Sequence, residues 1–331
     1  LKTVDQYYYG SNSSIYVAGV QYILDTVVEE LERDAEKKFV YVEMSFFQRW
    51  YFEQTTKKKE SVKQLVKSGQ LSFANGGWVM HDEAGSHFVS MIDQTTLGHR
   101  FLKEEFDYTP NVGWQIDPFG HSATQPNLLG SDVGFDALYF GRIDYEDLSL
   151  RKQNKNLEFV WRSSKSLPDS QLFTGVFSDG NYQMPAGFNF DVCATFDPIM
   201  DDPKLADYNV DEKVEEFIQA IQQEHSYTQG NHIMFKMGSD FHYTSANHWY
   251  KNLDKIMKYV NEKDDRFNVF YSNPILYTYA KAQESEISWS VKTDDFFPYA
   301  DCEHCYWGGY FTSRPTLKYL ERSASSFLQV L

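Results

Sequence analysis

Hydrophobic positions along the chain alternate between short apolar runs and longer amphipathic stretches. The short runs predict strands over residues 39–44, 71–75, 112–117, 137–140 and 233–237, with a further strand near Trp289. Apolar residues at helical spacing predict helices over residues 49–68, 95–106, 210–225, 247–262 and 317–331, and a helix start at 125–129. Strands that alternate with helices are typical of βαβ units, so we expect an α/β fold built on a parallel sheet.

The character of the sequence changes near Ile287, where the alternation gives way to an acidic and aromatic segment. The last predicted helix reaches the final residue without a C-cap signal. The chain opens on Leu1, with neither Met nor a signal-peptide pattern, which indicates truncation or processing. We therefore expect a large α/β domain with a truncated start over residues 1–290, and the first part of a helical domain over residues 291–331.

The net charge of the chain disfavours two classes of binding partner, nucleic acids and anionic membranes. The net charge of −16, from 31 basic and 47 acidic residues, would repel a nucleic-acid backbone or an anionic membrane surface. The single basic cluster, Lys57-Lys58-Lys59, is flanked by acidic residues and is interpreted as a solvated helix face. No run reaches the roughly 18 to 20 apolar residues that a membrane-spanning helix needs. We expect neither a nucleic-acid partner nor a membrane span.

Cysteine spacing leaves several alternatives open. Cys302 and Cys305 form a single CxxC, which is compatible with a local disulfide, half of a metal site, or two free thiols. No second CxxC completes a four-thiolate zinc site, and Cys193 stands apart. The sequon Asn12-Ser13-Ser14 predicts glycosylation of Asn12 and is compatible with a secretory route.

Two carboxylates follow predicted strands, where ligands bind in parallel α/β sheets. Asp117 ends one strand, and Pro118 and Gly120 predict a sharp exit from it; the alternative is an ordinary Asp-Pro turn. Asp240 follows the strand predicted at 233–237, and its alternative is a capping or turn Asp. Two such carboxylates suit glycoside hydrolysis, in which one attacks the anomeric carbon and the other exchanges protons with the leaving oxygen and water.

Histidines near the predicted loops show no HExxH zinc pair. For His121, which follows Asp117 closely, we expect hydrogen bonds to its neighbours rather than metal binding. The other candidates are His81, His87, His242 and His248.

Several blocks, in order along nearly the whole chain, resemble glycoside hydrolase family 38, the class II α-mannosidases, and in particular its lysosomal members. The most specific is Gly113-Trp114-Gln115-Ile116-Asp117-Pro118-Phe119-Gly120-His121-Ser122, which resembles the nucleophile motif of the family. The other blocks are residues 4–10, 46–50, 76–80, 140–145, 172–176, 237–241 and 294–314.

The resemblance implies a seven-stranded parallel α/β barrel-like domain followed by a three-helix bundle. It also implies retaining, zinc-dependent hydrolysis of terminal α-mannose from N-glycans, oligomannosides and glycoproteins. By position in the motifs, Asp117 would be the nucleophile and a zinc (Zn2+) ligand, and Asp240 the general acid/base. Phe119, Arg142 and Tyr182 would contact the substrate. The expected location is lysosomal or vacuolar, or secreted, and the resemblance leaves a homodimer and processed peptides of one precursor open.

The family pattern also places a His-x-His-x-Asp-x-Gly-Trp motif before the segment that begins at Leu1, and a further zinc-binding His after Leu331. The CxxC at Cys302 and Cys305 is not part of that pattern. Two alternatives to the α-mannosidase hypothesis therefore remain. One is a truncated mannoside-binding fragment without a zinc shell, and the other is a related metal-dependent hydrolase such as a deacetylase.

Overall fold

The structure is a computed structural model that describes residues 4–10, 19–85, 87–192 and 196–331. The helices, numbered in chain order, are α1 Val4–Tyr9, α2 Val20–Arg33, α3 Met44–Glu53, α4 Thr56–Lys67, α5 Phe88–Phe106, α6 Tyr145–Gln153, α7 Val210–Tyr227, α8 Ala246–Lys263, α9 Pro274–Ala282, α10 Gly309–Thr312 and α11 Pro315–Val330. The strands are β1 Phe39–Tyr41, β2 Leu71–Phe73, β3 Val112–Trp114, β4 Ala137–Phe140, β5 Glu158–Trp161, β6 Leu172–Val176 and β7 Ser290–Lys292. A π-helical turn spans Asn127–Asp132.

The strands form two sheets and confirm the predicted α/β class. Strands β1 and β2 pair in parallel, with Phe39 opposite Leu71. The other five pair in the order β3-β4-β6-β5-β7, and every neighbouring pair is parallel except β5 and β6. The expectation of an all-parallel sheet is therefore wrong at β5–β6, and the described strands lie in a five-stranded and a two-stranded sheet rather than one seven-stranded barrel.

Burial on both faces explains why the sequences of the central strands are continuous apolar runs. Strands β2 and β4 are buried along their whole length, as expected for strands covered on both faces. On the five-stranded sheet, Phe140, Trp161 and Phe296 pack into one apolar cluster. A larger cluster joins α2, α3, α7 and α8 to the two-stranded sheet and contains Trp50 and Trp249, each almost fully buried.

Two predicted elements differ from the structure for local reasons. The helix predicted over 49–68 is divided into α3 and α4, because Thr55 caps the second helix by accepting a hydrogen bond from the Lys58 amide at 3.3 Å. The strand predicted at 233–237 is wrong: the segment is not in either sheet. Side chains hold it instead, including the Tyr243 hydroxyl, which donates to the Met237 carbonyl at 2.6 Å.

Helix α11 is the most exposed element of the C-terminal part. None of its residues is buried, and its exposed apolar side chains include Leu317, Leu320, Phe327 and Leu328. Strand β7 crosses the predicted boundary at residue 290, and the division into 1–290 and 291–331 stays a prediction. Among the described helices, none is both long and apolar enough to cross a membrane.

Candidate functional site

Asp117 lies just beyond the end of β3 with its side chain 53% exposed. The backbone then turns sharply at Gly120, whose φ of +103° favours glycine. A Cβ at this position would lie 2.4 Å from the Phe297 ring, so the turn also needs the space that glycine leaves. The predicted strand exit is therefore present, and it leaves Asp117 on the wall of an open cleft.

Arg142 lies beyond the neighbouring strand β4 and holds Asp117 from the side. Its Nη2 donates to Asp117 Oδ1 at 3.0 Å, and only 12% of the Arg142 side chain is exposed. A Cβ on the preceding Gly141 would lie 2.5 Å from the Asn181 carbonyl oxygen, so the backbone carrying Asn181 packs directly against it. The close approach brings the loop of residues 179–183, called the Tyr182 loop below, next to the Arg142–Asp117 pair.

Tyr182 lines the same cleft as the two predicted catalytic carboxylates, Asp117 and Asp240. The Arg142 guanidinium lies 5.6 Å from the centre of its ring. Burial raises the pKa of Tyr182 to about 12, and the negative charges of Asp240 and Asp117 add to the increase. Asp117, Asp240 and Tyr182 therefore face one cleft, and Arg142 contacts both Asp117 and the Tyr182 ring. The roles that the family resemblance implies for these residues stay predictions.

Asp240 is exposed and follows residues 232–239, which form neither helix nor strand; the stretch 232–240 is called the Asp240 segment. Its start is fixed just beyond the end of α9, where the Glu284 carboxylate accepts a hydrogen bond from the His232 amide at 3.2 Å. The buried Lys281 lies 3.2 Å from that carboxylate and 3.0 Å from Glu158 on β5. The segment is thus tied to the sheet through side chains rather than through a backbone ladder.

An aromatic wall, which the sequence analysis did not assign, borders Phe119. Tyr310 lies 4.4 Å from Phe119 between ring centroids, and Trp307 lies at 5.8 Å. The Arg142 guanidinium is 5.3 Å from the Trp307 ring centroid. The local signal was the density of aromatics over residues 306–311, which no periodic pattern marks as a site.

The backbone after Asp117 rests on buried polar groups. His121 is buried and stacks on Phe140 at 3.9 Å. Burial lowers its pKa to about 3, against the effect of a hydrogen bond to the Arg142 backbone. Its Nε2 has no hydrogen-bond partner among the described residues, so the ring makes only part of the hydrogen bonding that we expected.

The remaining histidines are divided between structural and exposed positions. His81 is buried, with Nδ1 2.8 Å from Gln125 Oε1 and Nε2 3.1 Å from Thr95 Oγ1. His87 is exposed and caps α5, and His248 is exposed on α8. His242 lines the cleft next to the Asp240 segment.

Glu83 fixes the same turn from the other side and gives a prediction about pH. Its carboxylate accepts the Ser122 amide at 2.8 Å and Gln125 Nε2 at 2.8 Å. Burial raises its pKa from 4.5 to about 7. The folded state therefore holds the proton more tightly than the unfolded chain, so this group stabilises the fold fully below pH 4.5 and that stabilisation is lost as the pH rises through about 7.

We expect Glu83→Gln to flatten the pH dependence of stability. Between pH 4.5 and 7.5 the wild type should lose up to about 3 kcal/mol more unfolding free energy than the variant. Thermal melts across this range measure the difference, and Glu104→Gln on the exposed face of α5 is the control. Parallel pH profiles for the wild type and Glu83→Gln would contradict the assignment.

The described residues do not by themselves form the implied zinc site. Zinc sites take about four ligands, or three and a water. Within the described part of the chain, the one group of three close possible ligands is Asp301, Cys302 and Cys305, and its two sulfurs are joined as a disulfide. Of the three alternatives for the CxxC, the structure shows the local disulfide. Asp117, the one predicted ligand, is engaged by Arg142.

The sequon at Asn12 and the third cysteine, Cys193, lie outside the described residues. The lysine cluster lies on α4, where Lys57 is exposed and Lys58 pairs with Glu32 at 2.9 Å, in agreement with a solvated helix face.

The cleft of about 2240 Å³ contains Asp117, Asp240, Phe119, Tyr182 and Trp307 in its lining. An α/β domain whose open cleft gathers two exposed carboxylates, a fixed cation and aromatic rings is the kind of site that glycoside hydrolases present. The family model described as the glycosyl hydrolases family 38 N-terminal domain matches residues 1–302. The chain belongs to glycoside hydrolase family 38, and the predicted family is confirmed.

Known relatives cover the whole chain. It is 56% identical over 328 residues to an alpha-mannosidase of Arabidopsis thaliana, covering 99% of this chain and 32% of that protein. It is 53% identical over 315 residues to the alpha-mannosidase of Canavalia ensiformis, covering 95% and 32%. It is 48% identical over 337 residues to the lysosomal alpha-mannosidase of Homo sapiens, covering 100% and 33%. The chain thus spans about a third of the length of these curated relatives.

Solved structures agree with the fold. An alpha-mannosidase from Enterococcus faecalis superposes with a TM-score of 0.65 at 18% identity, over 84% of this chain and 28% of that one. A 4-alpha-glucanotransferase from Thermococcus litoralis gives a TM-score of 0.53 at 12% identity, over 85% and 39%.

Proposed function

We propose that the protein containing this chain removes terminal α-D-mannose from N-glycans and oligomannosides, with retention of configuration. The observation that carries the proposal is the placement of Asp117, Asp240 and Tyr182 in the lining of one open cleft. Membership of family 38, together with relatives that are named alpha-mannosidases, supports mannose as the sugar that is released.

The residues suggest a division of roles over two steps. Asp117 attacks the anomeric carbon while the bond to the leaving oxygen breaks and Asp240 gives that oxygen a proton. Asp240 then takes a proton from the water that attacks the same carbon, which releases Asp117 and leaves mannose with its original configuration. Arg142 holds the Asp117 carboxylate by one of its oxygens, and Phe119 and the aromatic wall offer faces for the sugar ring.

Zinc dependence is part of the proposal. This part rests on the family resemblance, because the described residues would offer only one zinc ligand, Asp117. When bound, zinc would orient the hydroxyl groups of the sugar. Closure of the sheets into a barrel-like domain and a helix bundle starting at α11 are further proposals on the same ground. A lysosomal or vacuolar location, or secretion, fits the lysosomal relatives.

The test is release of 4-nitrophenol from its α-mannoside by the full-length protein at acid pH. We expect activity that a zinc chelator abolishes and added zinc restores, and first-formed α-mannose by NMR. The matching β-mannoside is the control and should not be cleaved.

The same measurement distinguishes the enzyme from the alternative of a mannoside-binding protein without catalysis. Mannoside binding that is insensitive to chelator, without any hydrolysis, would overturn the enzymatic proposal.

A further inference from the structure

An ion pair, buried on its lysine side, joins the two walls of the cleft that carry Asp240 and Tyr182. Lys236, in the Asp240 segment, donates to Asp179 Oδ1 at 2.6 Å and to the Asn181 carbonyl at 3.4 Å. Only 14% of the Lys236 side chain and 31% of Asp179 are exposed. The Lys236 ammonium also lies 4.1 Å from the Phe177 ring centroid, so aromatic contact fixes it as well.

On its own wall, Asp179 organises the Tyr182 loop. Its Oδ1 accepts the Asn181 amide at 3.2 Å, and its Oδ2 accepts the Gln183 amide at 2.8 Å. The two amides that flank Tyr182 are therefore held by the carboxylate that Lys236 binds. A substitution at Lys236 would therefore affect the backbone around Tyr182 through one intermediate residue, Asp179.

On the opposite wall, Lys236 is one of the last fixed points before Asp240. Three residues separate the two, and the Met237 carbonyl is held by Tyr243. No backbone ladder fixes these residues, since the segment lies outside both sheets. Side-chain anchors therefore decide where Asp240 stands relative to Tyr182, Arg142 and Asp117.

We propose that Lys236 and Asp179 are a positioning pair that sets the placement of the acid/base Asp240 against the Tyr182 loop. The inference rests on the proposed function, in which Asp240 protonates the leaving oxygen. Neither residue needs to touch the substrate; the pair acts by fixing two backbones that do not share a sheet. A small displacement of a proton donor lowers the rate of the step that needs it.

The test compares two substrates in the full-length protein. We expect Lys236→Met to lower kcat/KM about 10-fold for an α-linked mannobiose, whose leaving group needs a proton, and under about 2-fold for 2,4-dinitrophenyl α-mannoside, which does not. Lys236→Arg should recover most of the loss by keeping the cation. The matched control is Lys255→Met on α8. Lys255 pairs with Asp201 at 2.7 Å and donates to the Ile199 carbonyl, and it does not line the cleft.

A double variant separates positioning from a general loss of structure. In an Asp240→Ala background, Lys236→Met should have no further effect on mannobiose, because its target is already gone. Equal losses on the two substrates, or an undiminished loss in the Asp240→Ala background, would overturn the proposal.

Hydrogen exchange tests the pair without relying on activity. Lys236→Met should speed exchange of the Asn181 and Gln183 amides and of residues 236–240, whereas Lys255→Met should change neither region. Unchanged exchange in the Tyr182 loop would contradict the inference even if no mannoside were cleaved. Faster exchange in a protein inactive on every mannoside would uphold the pair and reject only the proposed function.

Discussion

Replacing Asp117 with Asn is expected to abolish hydrolysis while leaving the protein folded. Asn keeps the size of the side chain and an oxygen that can still accept from Arg142 Nη2, now 3.0 Å from Asp117 Oδ1. It cannot form the covalent bond to the anomeric carbon, so kcat/KM should fall by at least about 10³-fold. The loss should be similar for aryl mannosides and mannobiose, because both need the nucleophile.

Full-length protein is the material for this measurement, with Asp132→Asn as the control. Asp132 is exposed at the end of the π-helical turn. Circular dichroism should show equal folding for the wild type and both variants. Near wild-type hydrolysis by Asp117→Asn would reject Asp117 as the nucleophile.

Replacing Asp240 with Ala is expected to separate the two halves of the reaction. Without a proton donor, kcat/KM for mannobiose should fall by about 10²- to 10⁴-fold. With 2,4-dinitrophenyl α-mannoside, the first step should stay fast and the second should become limiting, because no base activates water. The expected signature is a burst of dinitrophenol followed by slow turnover.

Azide provides the decisive complement to this variant. It attacks the mannosyl-enzyme without needing a base, so it should restore turnover and give α-mannosyl azide as product. The wild type, in which Asp240 remains, should show little response to azide. A uniform loss on both substrates, with no rescue, would contradict the acid/base role of Asp240.

Part of the site could be predicted from the sequence because functional polar residues lie directly after apolar strands. Asp117 stands after β3 and is followed by a glycine with positive φ, as the local pattern indicated. The contact between Asp117 and Arg142 joins residues beyond two different strands, so no spacing rule reveals it. The family resemblance implied only that Arg142 would lie at the substrate site. Trp307 and Tyr310 were missed for the same reason, since they meet Phe119 only in the fold.

The elements that were missed have identifiable physical causes. Strand β5 begins at Glu158, a charge that disfavours a buried-strand interpretation until its partner is known. That partner is Lys281, 3.0 Å away and distant in sequence, so the burial of both becomes understandable only in three dimensions. The opposite error arose at residues 233–237, where an apolar run is held by side chains instead of strand neighbours.

The Cys302–Cys305 bridge spans so few residues that it restricts the unfolded chain very little. The bridge instead restrains the local backbone next to Trp307, which lies two residues after Cys305 and faces Arg142. Disulfides persist in oxidising compartments and are reduced in the cytosol. In an oxidising compartment the bridge therefore restrains the backbone next to Trp307 at the cleft, and in the cytosol its reduction would release that restraint.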